Sequence, residues 1–210
     1  MNREIPQNLT FMLKNYKSTT LELQQCVFPI YDRGEIIGQG FVADGCFITA
    51  AHVLKEFPLC KVNFNGSIIE FSKYNPLYFG EGDYHDPEML DVAIFRFDGI
   101  NSPLHLSNHI PQKGEKLENY CMHENSDRTS LNPKSTLTMV PAYPLGEEEG
   151  NYFYCNCDRF GGSSGSPLIK ENEVVGIMYG GNETGLCAFL KVKTIQELGY
   201  STVHHSILGK

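Results

Sequence analysis

Residues 161–167 read GGSSGSP, a stretch in which three serines stand among three glycines and a proline. A run of Gly, Ser and Pro between apolar segments is first of all a loop signal. The same composition would suit a loop that carries a nucleophilic serine, because glycines let backbone N–H groups point toward one spot. The stretch leaves both interpretations open, so the segments around it have to decide.

Short apolar runs lie on both sides of this loop and are separated by Gly, Pro, Asn and Asp. Examples are CVFPIY, IIGQGFVA, CFITAA and VAIFRF before the loop, and EVVGIMYGG and CAFLKV after it. Many short strands with frequent turns are typical of an all-β sandwich or barrel. The polar stretch 106–116, which contains Pro111 and Gly114, is the best candidate for a linker between two β units of similar size.

Two segments have helical spacing. Apolar residues at positions 9, 12, 13 and 16 follow Asn8, a candidate N-cap, and predict a short N-terminal helix. The segment KTIQELG at 193–199 predicts a second short helix that ends at Gly199.

The composition excludes several classes of function. Hydrophobic residues make up 41% and charged residues 20% of the 210 residues, as in ordinary globular proteins. A net charge of −8 without clustered Lys or Arg argues against nucleic acids and anionic membranes as partners. No apolar run is long enough to span a bilayer, and the first 20 residues do not resemble a secretory leader.

The seven cysteines form an odd set without a regular disulfide framework. Together with the lack of a leader, this predicts reduced, packed thiols and a cytoplasmic location. One alternative concerns Cys121, His123, Cys155 and Cys157, which form CMH and CNC pairs and would suit a zinc site. Alternation along strands also places residues i and i+2 on one face, so core packing explains the same pattern.

Acyl transfer from a serine needs a base, an acid that orients the base, and hydrogen-bond donors for the oxyanion. Three residues of the sequence are candidates for the base, the acid and the serine. His52 in FITAAHVL follows a strand and sits beside two small alanines. Asp91 in MLDVAIFRF opens an apolar strand, where a carboxylate needs a partner such as an imidazole N–H. Ser164 lies between Gly162 and Gly165. Each residue alone has an ordinary structural explanation, and their co-occurrence carries the hypothesis.

This combination resembles the trypsin/chymotrypsin superfamily of serine peptidases, nearest to its bacterial glutamyl endopeptidase and HtrA-like branch. TAAH is similar to the histidine box, DVAI to the aspartate strand and GSSGSP to the nucleophile loop, in the family's chain order. The resemblance implies an all-β fold of two six-stranded antiparallel β-barrels, with the short N-terminal and C-terminal helices added. The expected organisation is an extension at 1–23, barrels at 24–108 and 117–192 joined by a linker at 109–116, and a helix and tail at 193–210.

The same resemblance assigns roles to residues. His52 is the general base and then the acid, Asp91 fixes its tautomer, and Ser164 is the nucleophile, with the N–H groups of Gly162 and Ser164 as the oxyanion hole. The strand at 176–181, with Tyr179 and Gly180, is expected to bind a peptide by strand addition. No cofactor is expected.

The sequence also departs from the family pattern. Asp158 matches the pocket-base position that favours a basic residue before the cut bond, but Arg159 beside it would neutralise Asp158 or attract an acidic residue. Met178 replaces the histidine of glutamyl endopeptidases, so basic substrates are marginally favoured. Ser163 replaces the aspartate of zymogen activation, which predicts control by a partner protein, a ligand or substrate access. The alternative to a peptidase is a catalytically silent module that binds a peptide strand.

Overall fold

The structure is a computed structural model whose described residues are 22–23, 25–64, 67–71, 74–80, 86–97, 99, 101–124 and 135–197. The side chains at 123, 124, 135 and 136 are outside the described part. The predicted N-terminal helix and the predicted helix end at Gly199 also lie outside these residues.

The first half of the chain forms one antiparallel sheet. Its strands are β1 (Val27–Asp32), β2 (Glu35–Ala43), β3 (Cys46–Thr49), β4 (Lys61–Phe64), β5 (Ser67–Glu70), β6 (Tyr78–Phe79) and β7 (Ala93–Arg96), in the order β5-β4-β1-β2-β3-β7-β6. Both residues of the two-residue turns between β1, β2 and β3 have positive φ, which matches the right-handed twist of hairpin strands. A short helix, α1 (Ala51–Glu56), follows β3.

The second half forms a closed barrel. Its strands are β8 (His105–Leu106), β9 (Leu117–Glu124), β10 (Ser135–Glu149), β11 (Tyr152–Cys157), β12 (Pro167–Lys170), β13 (Glu173–Gly181) and β14 (Leu186–Lys191). Pairing of β12 with β13 closes β9 to β14 into a ring, and β8 adds to β13 as a parallel strand. Helix α2 (Val192–Glu197) follows. No helix among the described residues is long and apolar enough to cross a membrane.

The predicted double-barrel architecture is confirmed, although each sheet has seven strands instead of the predicted six. In the first half, among the described residues, no ladder joins β5 to β6. The two residues of β6 offer few backbone groups for a further ladder. Strand β8 pairs with β13 of the second sheet. The proposed domain boundaries remain predictions.

The two halves share a hydrophobic core. One cluster of buried side chains contains Phe41 and Ile48 from the first sheet together with Tyr120 and Ile177 from the second. Two further clusters fill the individual halves, and the one in the first half is rich in phenylalanine. Because interiors are close-packed, this shared cluster fixes the groove between the halves.

Candidate active site

His52 and Asp91 are in direct contact, although 39 residues separate them. The Nδ1 atom of His52 lies 2.6 Å from Oδ2 of Asp91, and the backbone N–H of His52 donates to Oδ1 at 2.8 Å. The Asp91 side chain is fully buried, whereas His52 keeps 15% of its side chain exposed. An ionised carboxylate only accepts hydrogen bonds, so the contact places the imidazole proton on Nδ1 and leaves Nε2 as the basic nitrogen.

Two tyrosines of the second barrel complete the surroundings of this pair. The backbone N–H of Asp91 donates to the Tyr152 hydroxyl at 3.3 Å, and that hydroxyl donates to the carbonyl of Met89 at 3.0 Å. Burial raises the pKa of Tyr152, which keeps its hydroxyl protonated as a donor. The Tyr179 ring meets the His52 ring edge-on at 5.7 Å and contacts the Tyr152 ring at 5.3 Å.

The loop of Ser164 is bound to the first sheet through Gln39, a fully buried residue of β2. The Gln39 side chain donates to the carbonyls of Met122 and Gly162, at 2.6 Å and 3.0 Å, and accepts from the Met122 N–H at 2.7 Å. Its backbone N–H donates to the Ser164 carbonyl at 2.8 Å. The loop therefore has a fixed position relative to β2, which pairs with β3, the strand that precedes His52.

Two glycines are required by the shape of this loop. Gly162 has φ +74°, and a Cβ there would lie 2.7 Å from the carbonyl oxygen of Ile36. Gly165 has φ +86°, and its Cβ would lie 2.7 Å from the Thr49 hydroxyl and 3.0 Å from the backbone nitrogen of Ala50. Other residues rarely adopt this backbone region, and here they would also collide with the first sheet.

The backbone donors of the loop fall into two groups. The N–H groups of Ser163, Gly165 and Ser166 donate to carbonyls within the second barrel. Those of Gly162 and Ser164 have no acceptor among the described residues. Two unpaired donors beside a serine hydroxyl are the arrangement that can bind a developing oxyanion.

The Ser164 hydroxyl itself donates to the carbonyl oxygen of Tyr179 at 3.1 Å. Among the described residues it makes no hydrogen bond to His52. The tight approach of position 165 to Ala50 places the serine next to the segment that carries His52. Rotation of the serine side chain about its Cα–Cβ bond is therefore the movement that would direct the hydroxyl toward the imidazole.

Solved protein structures match this fold over most of their length. Neuropsin, a serine protease expressed in the limbic system of mouse brain, is 17% identical with a TM-score of 0.64, over 89% of this chain and 97% of that chain. The active form of the Rv3671c protease from M. tuberculosis is 18% identical with a TM-score of 0.61, over 94% and 87% of the two chains. The chain has the chymotrypsin-like double-barrel fold.

Identities this low establish the chymotrypsin-like fold alone. No family model and no curated protein matches the sequence. A mutant of human heparin binding protein has the same fold, with 13% identity and a TM-score of 0.63 over 92% of this chain and 98% of that chain. The placement near the glutamyl endopeptidase and HtrA-like branch stays a prediction.

A pocket with a cavity volume of about 340 Å³ opens beside His52 in this chymotrypsin-like fold. Its lining residues are His52, Glu56, Arg159, Tyr179, Gly180 and Gly181. Three residues predicted to bind substrate, namely Arg159, Tyr179 and Gly180, are among them. Arg159 and the N–H groups of Gly162 and Ser164 all belong to the segment that follows β11, and the other lining residues of the second barrel lie at the end of β13.

Two other residues predicted to bind substrate lie elsewhere. The Met178 side chain is fully buried in the core of the second barrel, because neighbouring residues of a strand face opposite sides and Tyr179 takes the side of the groove. The backbone of Met178 contacts the loop of Ser164: its carbonyl accepts a hydrogen bond from the N–H of Gly165, and its N–H donates to the carbonyl of Ser166. Asp158 is exposed and is not among the residues that line this pocket, so its predicted role as pocket base gains no support here.

The cysteines considered for zinc are packed in the second barrel. Cys121, Cys155 and Cys157 are buried, and burial raises the pKa values of Cys121 and Cys155 to about 12. Zinc needs thiolates, which these surroundings disfavour. Within the described residues no three His, Cys, Asp or Glu side chains are grouped to hold a metal ion, and the side chain of His123 lies outside them. The zinc hypothesis gains no support here.

Sequence reasoning missed Gln39 and Tyr152. A polar residue in the apolar run IIGQGFVA was the available signal for Gln39, because a buried amide has to find partners. Tyr152 had no comparable signal, since tyrosine is common in strands of any kind.

Proposed function

We propose that this protein is a serine endopeptidase that cleaves protein or peptide substrates through an acyl-enzyme intermediate. Ser164 is the nucleophile, His52 the general base and then the general acid, and Asp91 the carboxylate that holds the imidazole. One observation carries the proposal, namely that the N–H groups of Gly162 and Ser164 have no acceptor within the described residues. A collapsed loop would instead bond these donors internally.

The proposed reaction follows from these groups. The Ser164 hydroxyl turns from the Tyr179 carbonyl to His52, and Oγ forms a bond to the carbonyl carbon of the substrate while Nε2 takes the proton. The resulting oxyanion accepts hydrogen bonds from Gly162 and Ser164. The carbon–nitrogen bond then breaks, and the leaving amine receives the proton from Nε2. In the second half of the reaction, a water oxygen forms a bond to the acyl carbon while Nε2 takes its proton. The bond from that carbon to Oγ then breaks, Oγ of Ser164 regains the proton from Nε2, and the product carboxylic acid leaves.

Substrate is proposed to bind in extended form along the end of β13. In the ladder between β12 and β13 the last pair is Pro167 with Ile177. Beyond residue 178, β13 still pairs with β14 on one side, but its other edge, which faces β12 earlier in the strand, has no strand partner among the described residues. A Cβ on Gly180 would meet nothing within 4 Å, which leaves room for a peptide backbone. Strand addition at such an edge supplies main-chain hydrogen bonds without restricting the sequence that binds.

We also propose that the enzyme works in the cytoplasm without trypsin-type zymogen activation. All seven cysteines are free thiols, which suits a reducing compartment. Ser163, in the position of the activation carboxylate, is buried, and its N–H donates to the carbonyl of Phe160 at 3.2 Å. Control is then expected from a partner protein, a ligand or access to substrate.

A silent peptide-binding module is the second candidate. The observation that favours it is the hydrogen bond from Ser164 to Tyr179 in place of one to His52. The same groove and the same strand edge would serve such a module without any turnover.

Labelling with a fluorophosphonate probe separates the two candidates. The wild type and the matched control Ser67→Ala, which alters an exposed serine of β5, should be labelled, and Ser164→Ala should not. Turnover of a peptide library should fall by about 10⁴- to 10⁶-fold in Ser164→Ala. An unlabelled wild type that keeps the native circular dichroism spectrum and binds peptides would support the module and contradict the peptidase.

A further inference from the structure

Among the described residues that line the pocket beside His52, one carries a guanidinium. Arg159 lines this pocket together with Tyr179, Gly180 and Gly181. Its Cδ atom lies 3.1 Å from the position that a Cβ on Gly181 would take, so the aliphatic part of the side chain rests on the end of β13. A larger residue at position 181 would displace it.

The charge of Arg159 is available to a ligand. Within the described residues Arg159 forms no ion pair, although the exposed carboxylate Asp158 is its neighbour in sequence. Asp158 and Arg159 therefore do not neutralise each other, which was the ordinary structural explanation for the pair. An arginine without a carboxylate partner in a concave site favours an anionic group that can accept two parallel hydrogen bonds.

The carboxylate of Glu56 also lines the pocket. Glu56 belongs to helix α1, four residues after His52, whereas Arg159 rests against Gly181 at the end of β13. A peptide that extends along β13 passes Gly180 and Gly181 and so meets Arg159 with its nearest side chain. The carboxylate of Glu56 and the guanidinium of Arg159 thus belong to different walls of the pocket.

We infer that Arg159 is a specificity-determining residue and that the pocket selects an acidic side chain, Glu or Asp, immediately before the cleaved bond. This inference rests on the proposed function for its catalytic consequence, but it concerns binding in the pocket and is testable without turnover. It replaces the marginal preference for basic residues, because the residue on which that preference depended, Asp158, does not line the pocket.

The test uses peptides that differ only in the residue before the cleaved bond, which is Glu, Asp, Gln or Arg. For the wild type we expect kcat/KM with Glu to exceed kcat/KM with Gln by about 10-fold, as for a hydrogen-bonded charge in a partly exposed site. Arg159→Gln should abolish this ratio by lowering kcat/KM with the Glu peptide, and Arg159→Glu should favour the Arg peptide. The controls Asp158→Asn and Arg33→Gln, the latter altering an arginine with a 93% exposed side chain, should keep the wild-type ratio.

The same peptides, titrated calorimetrically into Ser164→Ala, measure the pocket apart from the chemistry. Binding that favours Glu and loses this preference in Ser164→Ala combined with Arg159→Gln supports the inference, even if the wild type proves inactive and the proposed peptidase fails. Preference for the Arg peptide that disappears in Asp158→Asn overturns the inference while leaving the peptidase in place. Equal binding of Glu and Gln peptides overturns it as well.

Discussion

The amide nitrogen of the Gln39 side chain donates a hydrogen bond to the carbonyl oxygen of Gly162 at 3.0 Å. One residue of the first sheet thereby holds the loop of the second barrel that contains Ser164. The same side chain makes two hydrogen bonds with the backbone of Met122. Gln39 thus ties both β9 and the serine loop to β2.

Replacement of Gln39 by leucine should destabilise the protein by about 2–4 kcal/mol, because buried donors and acceptors of Met122 and Gly162 lose their partners. Urea unfolding measures this loss as a lower midpoint. Gln112→Leu, which removes an exposed amide bonded to Ile110, should change stability by less than about 0.5 kcal/mol. Equal midpoints for the two variants would mean that Gln39 does not tie the halves together.

The adjacent glycines 161 and 162 provide a matched pair of positions for testing the shape of the loop that contains Ser164. Gly162→Ala should cost about 2 kcal/mol or more, because of its positive φ and the collision with Ile36, and should lower peptide turnover. Gly161→Ala should cost less than about 0.5 kcal/mol, since a Cβ there meets nothing within 4 Å. Thermal unfolding and probe labelling of both variants test this difference, and equal tolerance of alanine at the two positions would contradict the described loop.

Asp91→Asn should lower kcat by about 10⁴-fold with little change in KM, because an amide no longer holds the Nδ1–H tautomer of His52. A second Asp–His pair, Asp44 with His105 at 2.8 Å, is exposed and serves as the control. Asp44→Asn should alter kcat less than twofold. Steady-state kinetics on one peptide measures both, and a similar loss in the two variants would point to general destabilisation.

Stability in acid should depend on Glu115. Burial acts to raise its pKa, but hydrogen bonds from Lys170, the backbone of Gln112 and His109 outweigh it and lower the pKa from 4.5 to about 2. A pKa lowered by folding favours the folded state fully above about pH 4.5, and this stabilisation is lost as the pH falls toward 2.

Between pH 6 and pH 3 the wild type should therefore lose about 1 kcal/mol more than Glu115→Gln, after allowance for the exposed Lys170 partner. Urea unfolding at both pH values measures the difference. Glu147→Gln, at an exposed position of β10, should follow the wild type. Parallel curves for wild type and Glu115→Gln would show that the ion pair contributes nothing.

Local patterns in the sequence predicted the all-β fold, the residues of the His, Asp and Ser boxes and the short helix near 193. Strands and turns depend on neighbouring residues, and the alternation of apolar side chains is visible along the chain. Contact between His52 and Asp91 was predictable because a carboxylate buried in an apolar strand requires a donor. Proximity of these residues to the Ser164 loop was implied only by resemblance.

Tertiary structure alone decided which neighbours each side chain meets across the groove. Met178 and Tyr179 are adjacent in sequence, yet the first is buried in the barrel and the second meets His52, because strand register assigns the two faces. The sequence likewise placed Asp158 and Arg159 side by side without indicating that only Arg159 lines the pocket. Such outcomes depend on contacts between residues more than a hundred positions apart, as for Gln39 and Gly162, and these contacts exist only after the two sheets have packed.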